Sequence, residues 1–152
     1  MHEIFSAFLE LANQFNDIHF VYPVHPNPNV NGMAHQMLDN HPSFTLIQPV
    51  SYDIFVSLIK KSYLVCTDSG GLQEEAPALH KPLLVLRDET ERPLVIDLGL
   101  GKLAGTNKIA IVNAVSELLE NPDIYKSMQK NMSPYGDGHA AERIVNIIRN
   151  FK

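Results

Sequence analysis

Thr67-Asp68-Ser69-Gly70-Gly71-Leu72-Gln73-Glu74-Glu75-Ala76-Pro77 is the stretch of this chain best suited to chemistry. The apolar, β-prone run Ser62-Tyr63-Leu64-Val65-Cys66 comes before it and reads as a buried strand. Leu72 to Leu79 then predicts a helical turn or two. Strand, Ser-Gly-Gly, helix is the order in which a parallel α/β sheet builds an anion site. Free N–H groups at the helix start point at the anion, and the helix dipole favours negative charge. Glycines let a phosphate approach the backbone closely. A plainer reading stands beside it, with Asp68 or Ser69 as an N-cap next to a tight turn.

Other residues could serve the same anion. His25 follows an apolar run and lies among prolines and asparagines. It reads either as a surface-loop histidine or as a phosphate donor and proton carrier near neutral pH. Arg87 and Arg92 flank Asp88, Glu89 and Glu91. That charged run is either a solvated loop or an arginine aimed at phosphate and sugar oxygens. Glu74 and Glu75 suit the start of a helix electrostatically, and a carboxylate there could also accept from ribose hydroxyls. Phe55 is either core or a stacking surface for a flat base. The other six histidines (2, 19, 35, 41, 80 and 139) lack metal-ligand spacing, so no metal or cofactor is expected.

The elements that must hold these residues alternate along the chain. Helical spacing over 3–15 comes first, then a strand over Ile18–Val24 and a turn-rich loop over 25–32. A short helix over Met33–Leu38 and a strand over Phe44–Ile47 follow. Ser51 is placed to cap a helix over Tyr52–Lys60. After Tyr63–Cys66 and the Ser-Gly-Gly turn come strands at Leu83–Leu86 and Gly101–Gly105. Helices are expected over 109–119, 123–132 and 140–151, with a turn at 133–138. The strands are short and continuously apolar, which predicts burial on both faces. The whole predicts a doubly wound, Rossmann-like parallel α/β sheet. The His25 loop, the Ser69 turn and the Arg92 loop all follow strands, so they should converge on one edge.

Composition narrows the function classes. A chain of 152 residues suits a single domain. A net charge of -5 argues against a nucleic-acid binder, so any phosphate must be held by local geometry. The lone Cys66 reads as a buried, inert thiol. No run is long and apolar enough to span a membrane and no signal peptide opens the chain, which predicts a cytoplasmic protein.

Four segments together carry a resemblance: 24–30 (Val-His-Pro-Asn-Pro-Asn-Val), 67–77, 87–93 (Arg-Asp-Glu-Thr-Glu-Arg-Pro) and 134–138 (Pro-Tyr-Gly-Asp-Gly). In order and spacing they resemble the non-hydrolysing UDP-N-acetylglucosamine 2-epimerases over essentially the whole chain. The resemblance implies the C-terminal, nucleotide-binding half of a two-domain, glycosyltransferase-B-type architecture. Residues 1–152 would be that domain, and the N-terminal domain would be a missing partner. It also implies interconversion of UDP-N-acetylglucosamine and UDP-N-acetylmannosamine, by elimination of UDP and its return with C2 inverted. Carried over by position, Ser69, Gly70 and Gly71 hold the diphosphate, Glu75 the ribose, Phe55 the uracil, and Arg92 the nucleotide. His25 would be the catalytic residue near the leaving group, and the acidic catalytic groups would belong to the other half. Glu89 stands where the family more often has threonine. Alternatives are the nucleotide-binding half of a related sugar transferase, a hydrolysing epimerase, or a non-catalytic nucleotide-binding module. An apolar final helix lacking its packing partner would promote self-association into a homo-oligomer.

Overall fold

The computed structural model describes residues 1–130, 132 and 134–151. Its elements run α1 (His2–Gln14), β1 (Phe20–Pro23), α2 (Pro28–Leu38), β2 (Phe44–Ile47), α3 (Tyr52–Lys61), β3 (Val65–Thr67) and α4 (Leu72–Ala78). They continue β4 (Leu83–Val85), α5 (Pro93–Asp97), β5 (Gly101–Leu103), α6 (Lys108–Glu120), α7 (Pro122–Met128) and α8 (Ala140–Asn150). Every strand pair is parallel: β1 with β2, β3 with β4, and β4 with β5. Among the described residues no ladder joins β1 to β3, so the expected single sheet is hydrogen-bonded as a pair and a triplet.

The double winding is written in β4. All three of its residues are buried. Leu84, with Leu86 just beyond, packs into a core shared with α1, α2, α6 and α7. Leu83 and Val85 point the other way, onto Ala76 of α4, Val95 of α5 and Leu100. Helices thus cover both faces of the central strand, as the period-two alternation of a strand demands. The expectation of two-sided burial fails for β1 and β2. Val21 and Thr45, paired in register, are exposed. These two strands turn one face to the core through Phe20, Tyr22, Phe44 and Leu46, and Phe20 stacks on Phe44.

Local chemistry shifts several boundaries. α2 starts five residues before the expected Met33 because Asn27 caps it, accepting from the Asn29 N–H, with Pro28 in the first helical position. The His25 loop is correspondingly short. Ser51 occupies the N-cap of α3 but makes no capping bond. Its hydroxyl instead serves the Asp53 carboxylate, which it holds below the usual range. β3 begins two residues later than expected, and α5 had no counterpart in the sequence reading. α7 ends at Met128 rather than 132. Ser133 of the expected turn lies outside the described residues.

Candidate nucleotide site

The Ser69 turn and the Arg92 loop are neighbours because their strands are. Thr67 pairs with Val85 in register, and the Leu86 N–H donates to the Thr67 carbonyl at 2.9 Å. Both chains therefore leave the sheet side by side at the carboxyl end. The turn folds tightly as the Ser69 N–H donates to the buried Thr67 hydroxyl at 3.0 Å. Neither Asp68 nor Ser69 caps α4. The N-cap is Gly71, and no side chain makes a capping bond there. Among the described residues, the N–H groups of Gly70, Gly71 and Leu72 meet no protein acceptor.

The glycines have no backbone reason to be glycine. Gly71 is right-handed helical (φ −63, ψ −42), and Gly70 does not have positive φ either. A Cβ on Gly70 would meet only Glu91 Oε2, at 3.8 Å, and one on Gly71 only Ser69 Oγ, at 4.0 Å. Alanine would fit both positions in the protein as it stands. What the missing methyls leave open is the outer surface of the turn.

Two hydrogen bonds tie α4 to the loop, and others brace each side. Gln73, 1% exposed, accepts from the Thr90 hydroxyl through Oε1 and donates from Nε2 to the Ser69 carbonyl at 3.4 Å. The Thr90 oxygen also accepts from the Arg92 N–H at 3.0 Å. The Arg92 side chain reaches back across α4, its Nε donating to Glu74. That carboxylate holds the guanidinium further above its already high ordinary range. Arg87 pairs with Glu91 at 3.4 Å, and the Glu91 carboxylate stands beside Gly70. Tyr135 joins the group from the C-terminal segment. Its hydroxyl is pushed up by burial and by the Glu74 charge.

His25 sits just past β1, exposed, and its Nδ1 accepts from the Asn27 N–H at 3.1 Å. This bond places the proton of the neutral ring on Nε2, which is then a donor. The His25 side chain makes this bond within its own loop, and no hydrogen bond among the described residues joins it to the Ser69 turn. Tyr22 of β1 does sense the turn: its hydroxyl is pushed up by burial and then by the Asp68 charge. Phe55 is half-buried on α3 and Glu75 half-buried on α4. No group of three or more metal-ligating side chains occurs among the described residues.

The structure adds residues that motif reading passed over. Gln73, Ala76 and Pro77 are the buried face of α4, at i, i+3 and i+4. An amide on an otherwise apolar stripe is the signal that could have singled out Gln73. Thr90 and the Glu74–Arg92 pair need the fold, since 17 and 18 positions separate the partners. Two concavities lie elsewhere, one between β5 and α6 and one lined by 12–13, 16–19 and 41–43.

Comparison with known proteins supplies the context for this edge. A family model described as UDP-N-acetylglucosamine 2-epimerase matches residues 1–149. A Yersinia pestis protein named UDP-N-acetylglucosamine 2-epimerase is 46% identical over 147 residues, 97% of this chain and 39% of that protein. A solved structure described as the S. aureus MnaA–UDP co-structure superposes with a TM-score of 0.92 at 45% identity, covering 97% of this chain and 40% of that one. The UDP-GlcNAc 2-epimerase from Neisseria meningitidis bound to UDP-GlcNAc superposes with a TM-score of 0.91 at 40% identity, covering 98% and 41%. The chain spans 39–41% of the length of these three relatives.

Proposed function

This chain belongs to the UDP-N-acetylglucosamine 2-epimerase family, and we propose that residues 1–152 are the C-terminal, UDP-binding domain of such an enzyme. The whole enzyme would interconvert UDP-N-acetylglucosamine and UDP-N-acetylmannosamine. The observation that carries the reading is the Ser69–Gly71 turn. The Gly70 and Gly71 N–H groups are unspent among the described residues, the glycines serve no backbone need, and the turn faces an arginine loop. A diphosphate lying on the outer surface of that turn uses all three features.

In this reading the Ser69 hydroxyl, the N–H groups of Gly70 and Gly71 and the Arg92 guanidinium hold the diphosphate. Phe55 stacks on the uracil, and Glu75 accepts from the ribose hydroxyls. His25 offers its Nε2–H to the oxygen that leaves the sugar. When the C1–O bond breaks, the electron pair goes to UDP, and fixed donors stabilise that charge best because they need no reorganisation. The proton lost from C2 goes to a base outside this chain and the C2–H electron pair becomes a C1=C2 double bond; UDP then re-forms the C1–O bond while a proton returns to the opposite face of C2, which inverts it. The lone thiol is compatible with a cytoplasmic setting.

The remaining part of the enzyme would supply the acid and base and close the cleft. α8 supports this division. None of its residues is buried, and Ile144, Ile147, Ile148 and the following Phe151 are 55–85% exposed. Such a stripe wants a partner, and in the isolated chain it favours self-association. The test is incubation of the purified chain with UDP-N-acetylglucosamine in deuterated water, beside calorimetry with UDP. The reading expects UDP binding without deuterium at C2. Deuterium at C2, or UDP-N-acetylmannosamine above background, would overturn the division of labour.

A further inference from the structure

The buried amide of Gln73 stands in the middle of a one-directional chain of hydrogen bonds. The Arg92 N–H donates to the Thr90 hydroxyl, that hydroxyl donates to Gln73 Oε1, and Gln73 Nε2 donates to the Ser69 carbonyl. Bonds aligned in this way polarise one another, and at 1% exposure water does not compete for the amide. Each end of the chain sets a group of the candidate site. At one end Thr90 fixes the backbone of Arg92 just where the chain enters α5. At the other end the effect is stereochemical. No cis peptide bond occurs among the described residues, so the Ser69 carbonyl and the Gly70 N–H on the same peptide plane point in opposite directions. Gln73 draws the carbonyl inward and thereby turns the Gly70 N–H outward.

We propose that Gln73 and Thr90 are positioning residues for the diphosphate, one hydrogen-bonded chain aiming the Gly70 N–H and Arg92 at the same anion. The proposal rests on the reading of the Ser69 turn as the diphosphate site. It assigns a role to two side chains that need not touch the nucleotide. It also accounts for an amide on the buried stripe of α4, where an apolar residue would pack without needing partners. Thr90→Val removes the hydroxyl at nearly constant shape, and Gln73→Met removes both amide functions at similar length. Either change lets the Ser69–Gly70 peptide rotate or Arg92 drift.

The experiment measures UDP and uridine affinities for the purified chain and for Thr90→Val, Gln73→Met and Thr90→Ser, with melting curves to confirm folding. The ratio of UDP to uridine affinity isolates the phosphate contribution. The expected result is an approximately tenfold fall in that ratio for Thr90→Val and Gln73→Met, the scale of one misaligned charged hydrogen bond. Uridine affinity should be unchanged, and Thr90→Ser, which keeps the hydroxyl, should restore the ratio. A ratio unchanged in the folded Thr90→Val and Gln73→Met variants overturns the proposal and leaves the diphosphate site standing. UDP and uridine affinities falling in step mean a general structural role and also overturn it. A parent chain with no preference for UDP over uridine overturns the diphosphate site itself, and the proposal with it.

Discussion

Replacing Gly70 by alanine should move stability and affinity in opposite directions. In the free protein the new methyl meets only Glu91 Oε2, at 3.8 Å, an ordinary contact. The backbone there does not have positive φ, so alanine brings no conformational strain. It does reduce the freedom of the unfolded chain, which is worth about 0.4–1 kcal/mol of added stability. For a chain of this size that corresponds to a rise in melting temperature of about 1–4 °C. A phosphate on the turn meets a different surface. The methyl occupies the close approach that the glycine leaves open and lengthens at least one charge-assisted bond. Losing one such bond costs about 1.5–3 kcal/mol. UDP should therefore bind roughly ten- to a hundredfold more weakly, at about 1.4 kcal/mol per factor of ten. Scanning calorimetry gives the first quantity and titration calorimetry the second. Unchanged UDP affinity in a folded Gly70→Ala variant would refute the placement of the diphosphate. A marked loss of stability would refute the claim that the turn itself does not require glycine.

Further expectations follow from the same geometry. Phe55→Ala should weaken UDP by about tenfold or more through lost stacking, worth about 1–3 kcal/mol per base, and Glu75→Ala should do so through a lost bond to the ribose; titration of each variant checks this. Glu91→Gln should tighten UDP about three- to tenfold, because a carboxylate beside Gly70 opposes an incoming phosphate, and it should leave uridine affinity unchanged. Stability should fall at alkaline pH because burial pushes the Cys66 thiol up to about 12 from 9.0. Below the lower value both states keep the proton, whereas between the two only the unfolded chain releases it. Rising pH thus costs up to about 1.4 kcal/mol per unit across that window. Tyr22, Tyr125 and Tyr135 are shifted in the same direction, so the check is the difference in urea unfolding between the parent and Cys66→Ala.

Much of the architecture was legible because the sequence switches cleanly between helical and strand periods. α1, β2, α4 and β5 begin within a residue or so of where the apolar pattern puts them. The errors have local causes. Asn27 and Pro28 look like turn residues but are a cap and a first helical residue, and this moved the start of α2. α5 has five residues, and a single turn is too short to show a period. Val21 and Thr45 were expected to be buried, but the apolar run of β1 does not reveal that one face of the β1–β2 pair is open to solvent at these residues. At the site, the turn and the loop could be found from residue types and order. The bonds joining Gln73 to Thr90 and Glu74 to Arg92 could not, because they exist only once β3 and β4 lie side by side.

The central claim is that a uridine diphosphate lies on the Ser69–Gly71 turn, against the Arg92 loop. Titrating the isotope-labelled chain with UDP while following its backbone amide resonances tests that claim most directly. The account predicts the largest shifts at Gly70, Gly71 and Leu72, with further changes at Arg92, Glu75, Phe55 and His25. Changes confined instead to the concavity between β5 and α6, at residues such as Lys102, Gly105 and Asn113, would contradict it.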